Sequence, residues 1–98
     1  MSYTFDSRVR LREQVLKRNL DDESLMLNMD SERYFGLNDV GTHMLDALAE
    51  SDSIQQAYER LVSEYDVEPD VLRKDLIQLI DRLSDSGIIE VVKNQSSI

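Results

Sequence analysis

The hydrophobic pattern of this 98-residue chain changes its period at one junction, residues 34–45, and this change constrains the fold more than any other feature. Before the junction, apolar residues alternate with polar ones, as in strands that bury one face. After it, apolar residues recur three and four positions apart, as in amphipathic helices. Asn38 lies at the change and offers a side-chain oxygen that can cap the first helix. The sequence therefore predicts an α+β domain with strands first and helices second.

The first strand is predicted over residues 8–12, where Val9 and Leu11 share one face and three arginines share the other. Residues 15–16 either continue this strand or form a separate short one. The polar run at residues 19–23 favours a loop after them.

Two further strands are predicted over residues 24–29 and Arg33–Leu37, and the short connection between them favours an antiparallel hairpin. Alternation assigns one set of apolar side chains to the buried face of this hairpin. These residues are Leu25, Leu27, Met29, Phe35 and Leu37. We therefore predict an N-terminal antiparallel sheet of three strands, with Arg33–Leu37 as its third strand.

Three helices are predicted after the junction, over residues 38–49, about 53–65 and about 69–86. Gly41 lies inside the first helix at a cost of about 1 kcal/mol relative to alanine, which suggests that a neighbouring backbone passes close to it. Gly87 ends the third helix. Strands followed by three helices with helix-turn-helix spacing predict a winged helix-turn-helix-like domain.

The chain is predicted to form one domain over residues 1–98, with an ordered core at about 8–92. Residues 88–92 form either a last short strand or a packed tail. Residues 1–7 and 93–98 are expected to be frayed.

The third helix has an unusually broad apolar face. Leu72, Leu76, Leu79 and Leu83 form one stripe, and two isoleucines widen it to about 160°, more than the roughly 100° that packing on one core needs. The helix either packs between two elements or lines a groove with its extra apolar flank. The polar residues that could flank such a groove are Asp75, Gln78 and Arg82.

The net charge of −9 is distributed unevenly along the chain. Residues 1–37 carry 6 basic and 7 acidic side chains, whereas residues 38–98 carry 5 basic and 13 acidic ones. An acidic surface repels phosphate backbones and anionic lipid. It suits neutral or basic partners, and it is equally explained by solubility.

No pattern of catalytic or metal-binding residues is present. The chain has no cysteine, and His43 is its only histidine, so neither a transition-metal set nor a cofactor site is expected. The three glycines are too far apart for a phosphate-binding loop. The third helix is net acidic, which argues against insertion into a DNA groove. We expect a non-enzymatic cytoplasmic protein that binds no nucleic acid and no membrane.

The stretch YFGLNDVG at residues 34–41 resembles the PqqD family of peptide-binding domains. These domains are also called RiPP recognition elements, after the ribosomally made and post-translationally modified peptides whose precursors they bind. The resemblance extends to the helix at residues 53–67 and to the end of the third helix at residues 83–89, and it covers about residues 8–92. A separate chain of this length looks most like the discrete leader-binding proteins of lasso-peptide pathways.

The resemblance implies a protein without catalytic activity that binds the leader of a precursor peptide and presents it to a leader peptidase and a macrolactam-forming cyclase. The leader is expected to add as a strand to Arg33–Leu37, in a groove against the third helix. The peptide-binding residues expected on this basis are Arg33, Tyr34, Phe35, Gly36, Leu37, Leu72, Asp75, Leu76, Leu79 and Arg82.

Three other interpretations of the sequence remain open. One is a PqqD-type peptide chaperone for a radical enzyme in pyrroloquinoline quinone biosynthesis. Another is a winged-helix transcription regulator, whose DNA binding would weaken steeply with salt. The last is a structural subunit whose groove is filled by a partner chain.

Overall fold

The structure is a computed structural model that describes residues 3–93. Five strands and three helices follow one another in the order β1 to β4, α1 to α3, β5. Their bounds are β1 Arg8–Leu11, β2 Val15–Leu20, β3 Glu23–Asn28, β4 Arg33–Leu37, α1 Asp39–Glu50, α2 Ile54–Glu64, α3 Pro69–Asp85 and β5 Ile89–Val92. The predicted α+β class is confirmed.

The strands form two antiparallel sheets, and this division differs from the predicted single sheet. Within residues 3–93, β1 pairs only with β5, so the first predicted strand lies outside the three-stranded sheet, whose order is β2-β3-β4. The place that was predicted for β1 in that sheet is taken by β2. It pairs with β3 along its whole length, from Val15 opposite Asn28 to Leu20 opposite Glu23. The loop predicted over residues 19–23 was therefore wrong, because only two of its residues lie in the turn between β2 and β3.

The buried face of β3 is the opposite of the predicted one. Ser24, Met26 and Asn28 point into the core, whereas Leu25 and Leu27 are half-buried on the other face. The register places Met26 opposite Phe35, so both lie on the face covered by the helices. The prediction failed because the two polar residues find partners inside: Ser24 bonds Thr42 at 2.8 Å, and Asn28 bonds backbone carbonyl groups.

The helices begin as their capping residues predict. The Asn38 side chain accepts a hydrogen bond from the Gly41 amide at 2.8 Å, and the Ser53 hydroxyl accepts one from the Gln56 amide at 3.0 Å. α3 begins with Pro69, where the missing N–H is tolerated. A Cβ on Gly41 would lie 3.1 Å from the Leu37 side chain, so it is a side chain, not a passing backbone, that fits against this glycine.

One continuous core lies between the helices and the two sheets, and α3 contributes five buried side chains to it. The N-terminal segment also packs on this core, in contrast to the frayed end predicted for residues 1–7. Ser7 is buried, and the Phe5 and Ser7 carbonyl groups accept bonds from the first amides of α2. Residues 1–2 and 94–98 of the predicted frayed ends lie outside the described part. No helix within residues 3–93 is long and apolar enough to cross a membrane.

Candidate functional site

The outer edge of β4 is an open strand edge. β4 is the last strand of its sheet, and within residues 3–93 no further strand pairs with its free side. Such an edge presents unpaired N–H and C=O groups that can bond an added strand. The predicted open edge at Arg33–Leu37 is therefore confirmed by the strand order.

A groove lies beside the first half of this edge, between β4 and the end of α3. Its volume is about 570 Å³. The lining residues come from the β3–β4 turn, from β4 and from the chain that follows α3: Asn28, Ser31, Arg33, Tyr34, Phe35, Asp85, Ser86, Gly87 and Ile88. A groove next to an open edge can hold the side chains of a strand that is added there.

Asn28 builds the closed end of the groove. Its side-chain nitrogen donates to the carbonyl groups of Ser86 and Gly87 at 3.4 and 3.2 Å, and its oxygen accepts from the Asp30 and Ser31 amides at 3.0 and 3.4 Å. The β3–β4 turn is thereby fixed to the end of α3.

A glycine is required opposite the Asn28 side chain. Gly87 has φ +73°, and a Cβ there would lie 2.8 Å from the Asn28 side-chain nitrogen. The glycine that ends α3 is therefore also a component of the groove.

A cation–π contact joins α3 to β4 next to the groove. The guanidinium carbon of Arg82 on α3 lies 5.3 Å from the centre of the Phe35 ring on β4. Asp75 lies on the same flank of α3 two turns earlier, since residues seven apart share a helix face. This flank of α3 therefore carries polar side chains, and it contacts β4 at Arg82.

The structure brings together some of the predicted site residues and separates others. Arg33, Tyr34 and Phe35 line the groove, and Arg82 contacts Phe35. Gly36 is exposed and Leu37 is buried. The three leucines predicted as the groove floor are core residues with at most 6% exposure: Leu72, Leu76 and Leu79. They lie behind the flank that faces β4 and do not line the groove.

Several groove residues were not predicted from the sequence. Asn28, Ser31 and residues 85–88 line the groove because β3 and the end of α3 meet in space, a contact that has no local sequence signal.

The outer face of the three-stranded sheet carries an apolar row that the helices do not cover. Leu16, Leu27 and Tyr34 are directly opposite one another across β2, β3 and β4. Leu16 is 57% exposed and Tyr34 is 67% exposed. The row ends at the open edge of β4, so an added strand would extend it.

His43 lies in a different place, at a second concavity of about 370 Å³ between the β2–β3 turn and α1. Its two ring nitrogens lie 2.6 Å from the Tyr65 hydroxyl and 3.1 Å from a Glu64 carboxylate oxygen. Burial, together with the charges of Glu64 and Asp39, raises the pKa of the Tyr65 hydroxyl. Because both nitrogens are engaged by side chains of this chain, we assign His43 to the packing of α1 against the end of α2.

Within residues 3–93, no group of three or more His, Asp and Glu side chains could hold a metal ion. The β4 groove offers main-chain hydrogen bonds at a strand edge, apolar packing and charged side chains, which suits the binding of an extended peptide.

Comparisons with known proteins agree with this geometry. The family model of coenzyme PQQ synthesis protein D (PqqD) matches residues 23–89. Among solved structures, TbiB1 in complex with the TbiA(beta) leader peptide matches with a TM-score of 0.77 and 25% identity, over 83% of this chain and 94% of that chain. Lasso peptide synthetase B1 complexed with the leader peptide matches with a TM-score of 0.76 and 26% identity, over 85% and 98%. A comparison with curated proteins finds no match.

Proposed function

This chain belongs to the PqqD family, and from that premise we propose that it binds the leader region of a ribosomally synthesised precursor peptide of the lasso-peptide type, without catalysing a reaction. The observation that carries the proposal is the open edge of β4 beside a groove of about 570 Å³. The likeness to two solved structures that hold a leader peptide supports it.

The leader binds as an additional strand along Arg33–Leu37. Main-chain hydrogen bonds to the free edge of β4 provide affinity that does not depend on the leader sequence. Alternate side chains of the leader point towards the end of α3, into the groove that Phe35 and Tyr34 line. Arg82 of α3 packs on the Phe35 ring and holds it in place. Asp75 flanks the same path and offers a carboxylate to a basic or N–H-bearing group of the leader.

The buried stripe of α3 contributes to the shape of the groove without lining it, through Leu72, Leu76 and Leu79. All three are buried, so they hold α3 at its distance from β4 and set the width of the groove. A change of volume at these positions moves the wall of the groove, because protein cores are close-packed.

Binding delivers the precursor to its modifying enzymes. The leader is held on this domain while the remainder of the precursor is presented to a leader peptidase and a macrolactam-forming cyclase. This role needs no catalytic group on the chain.

A second candidate function is favoured by the description of the matching family. A PqqD-type peptide chaperone would use the same edge and groove to hold the precursor for a radical enzyme in pyrroloquinoline quinone biosynthesis. The two functions differ in the peptide that is bound, not in the site.

A titration distinguishes these functions. The leader of the precursor encoded beside this chain is made as a synthetic peptide and titrated into the full chain by calorimetry. A pyrroloquinoline quinone precursor peptide is titrated in parallel, and a scrambled peptide is the control. We expect about micromolar affinity or tighter. Amide chemical shifts should change at Arg33–Leu37 and at residues 85–88. Absence of binding, or shifts confined to other surfaces, would contradict the proposal, and preferential binding of a pyrroloquinoline quinone precursor would favour the second function.

A further inference from the structure

Gly36 occupies the middle of the open-edge strand without any requirement from the fold. Only Gly87 among the glycines of residues 3–93 has a positive φ, so the backbone of Gly36 is one that any residue adopts. A Cβ at Gly36 would meet no atom within 4 Å. Neither backbone geometry nor steric crowding within the described chain explains a glycine at this position.

Glycine in a strand normally has a reason, because it weakens the strand and provides no side chain to pack. The usual reasons are a bulge, a bend or the close approach of another backbone or ligand. The β3–β4 register runs without interruption from Ser24 opposite Leu37 to Asn28 opposite Arg33, so Gly36 is not in a bulge. We therefore expect that the glycine leaves room for another molecule that approaches β4 from outside the chain.

The surroundings of Gly36 show what that molecule would meet. Gly36 lies on the outer face of the sheet, directly opposite the half-buried Leu25. Tyr34 precedes it on the same face and is 67% exposed, with Leu27 opposite it. The bare backbone of Gly36 is thus a gap on the β4 edge, bordered by apolar side chains.

We propose that Gly36 is a specificity-determining position, which receives a large apolar side chain from the outward-facing set of the bound leader strand. The inference rests on the proposed function, since it needs a strand on the edge of β4. A strand added there directs every second side chain to the outer face. The side chain beside Gly36 packs over the glycine and against Leu25 and Tyr34, as aromatic and large aliphatic residues do over edge glycines.

The leader is then recognised on both faces of the sheet. Its inward side chains enter the groove that Phe35 lines, and one outward side chain covers Gly36. The leaders that bind should therefore carry, besides the residues that enter the groove, one large apolar residue on the outer face. Because the two faces alternate along a strand, this residue lies an odd number of positions from the residues in the groove.

The variants G36V and G36A test this position, with Arg18→Val as the matched control. Arg18 lies in the same cross-strand row as Gly36, on the opposite edge of the sheet, and β3 and β4 separate it from the proposed peptide. The probe is the synthetic leader of the precursor encoded beside this chain, used as the natural peptide and as variants with each large apolar residue replaced by alanine. Thermal unfolding and binding are measured for every protein.

We expect G36V and G36A to melt at or above the wild-type temperature, because the site is open and valine favours strands. G36V should bind the natural leader about tenfold more weakly or worse, G36A should show a smaller loss, and Arg18→Val should bind normally. For one leader variant the loss caused by G36V should largely disappear, which identifies the residue that covers Gly36.

Two results would overturn the inference while leaving the proposed function intact: normal leader binding by G36V, or a loss that is equal for all leader variants. Lower melting temperatures for both G36V and G36A would also overturn it, since the fold would then require the glycine. Failure of the wild-type chain to bind the leader would instead overturn the proposed function, and this inference with it.

Discussion

The two faces of the β2–β3–β4 sheet both carry polar and apolar residues, but the helices cover the inner face and not the outer one. On the inner face, Met26 is fully buried between Ser24 and Asn28, which are also buried. On the outer face, Leu16 and Tyr34 remain largely exposed although both are large and apolar. Hydrophobicity alone does not decide which face is covered.

What distinguishes the inner face is that its polar groups are satisfied. Thr42 donates to the Leu37 carbonyl at 3.3 Å, so its hydroxyl oxygen accepts from Ser24, and α1 is tied to both β3 and β4. Asn28 ties the same face to the end of α3. Among residues 3–93, no such hydrogen bonds tie the outer face to a helix, and it keeps apolar side chains exposed beside an open edge, which is typical of an interaction surface.

The largest effect is expected from removing volume on the inner face. Met26→Ala should lower the free energy of unfolding by about 2–5 kcal/mol, because it leaves a cavity in the core. Leu27→Ala, one residue away on the outer face, should lower it by about 1 kcal/mol or less. Urea denaturation of both variants makes the comparison, and equal losses would contradict the assignment of the two faces.

A smaller but still substantial loss of stability is expected from removing the Asn28 side chain. Its hydrogen bonds fix the β3–β4 turn to the end of α3, and we call them the Asn28 clamp. Asn28→Ala removes four hydrogen bonds and should cost about 1–3 kcal/mol of unfolding free energy. It should also weaken leader binding, because the closed end of the groove opens. The control is Asn19→Ala at the exposed end of the same face, with an expected change within about 0.5 kcal/mol. Unchanged stability and binding in Asn28→Ala would show that the clamp is unimportant.

The hydroxyl pair on the inner face should show coupling. Ser24→Ala or Thr42→Val alone should cost about 1 kcal/mol or somewhat more, since each leaves a buried polar group without its partner. The double variant should cost less than the sum, because no unsatisfied hydroxyl remains. A double-mutant cycle from urea unfolding measures this coupling, and strict additivity would argue against the bond.

The smallest effect on stability is expected on the outer face, where binding should change instead. Tyr34→Ala should alter the unfolding free energy by no more than about 0.5 kcal/mol while reducing leader affinity about tenfold or more. Leu16→Ala is similarly exposed but lies on the far edge strand, so it should change neither quantity. The two variants are compared by urea unfolding and by calorimetry with the leader, and equal affinities for both would remove Tyr34 from the proposed site.

Local sequence signals predicted the parts of the fold that depend on neighbouring residues. The caps at Asn38 and Ser53 lie where their side chains predict, and α3 ends before Gly87. Of the candidate site, the strand Arg33–Leu37 and the flank of α3 with Arg82 were found because each is a contiguous or periodic segment. The closed end of the groove was not found, since Asn28 and Gly87 are distant in sequence and meet only in the folded chain.

The sequence by itself determined the order of strands and helices, the helix ends and the family resemblance, because these depend on side chains within a few positions of one another. Only the tertiary structure decided that β1 pairs with β5, that β2 joins the hairpin, and that Ser24 and Asn28 turn inwards in place of Leu25 and Leu27. Strand alternation defines two faces but not which one is buried. That choice was settled by long-range partners, namely Thr42 on α1 and the carbonyl groups after α3. They satisfy the buried polar side chains of Ser24 and Asn28 and leave Leu25 and Leu27 on the outer face.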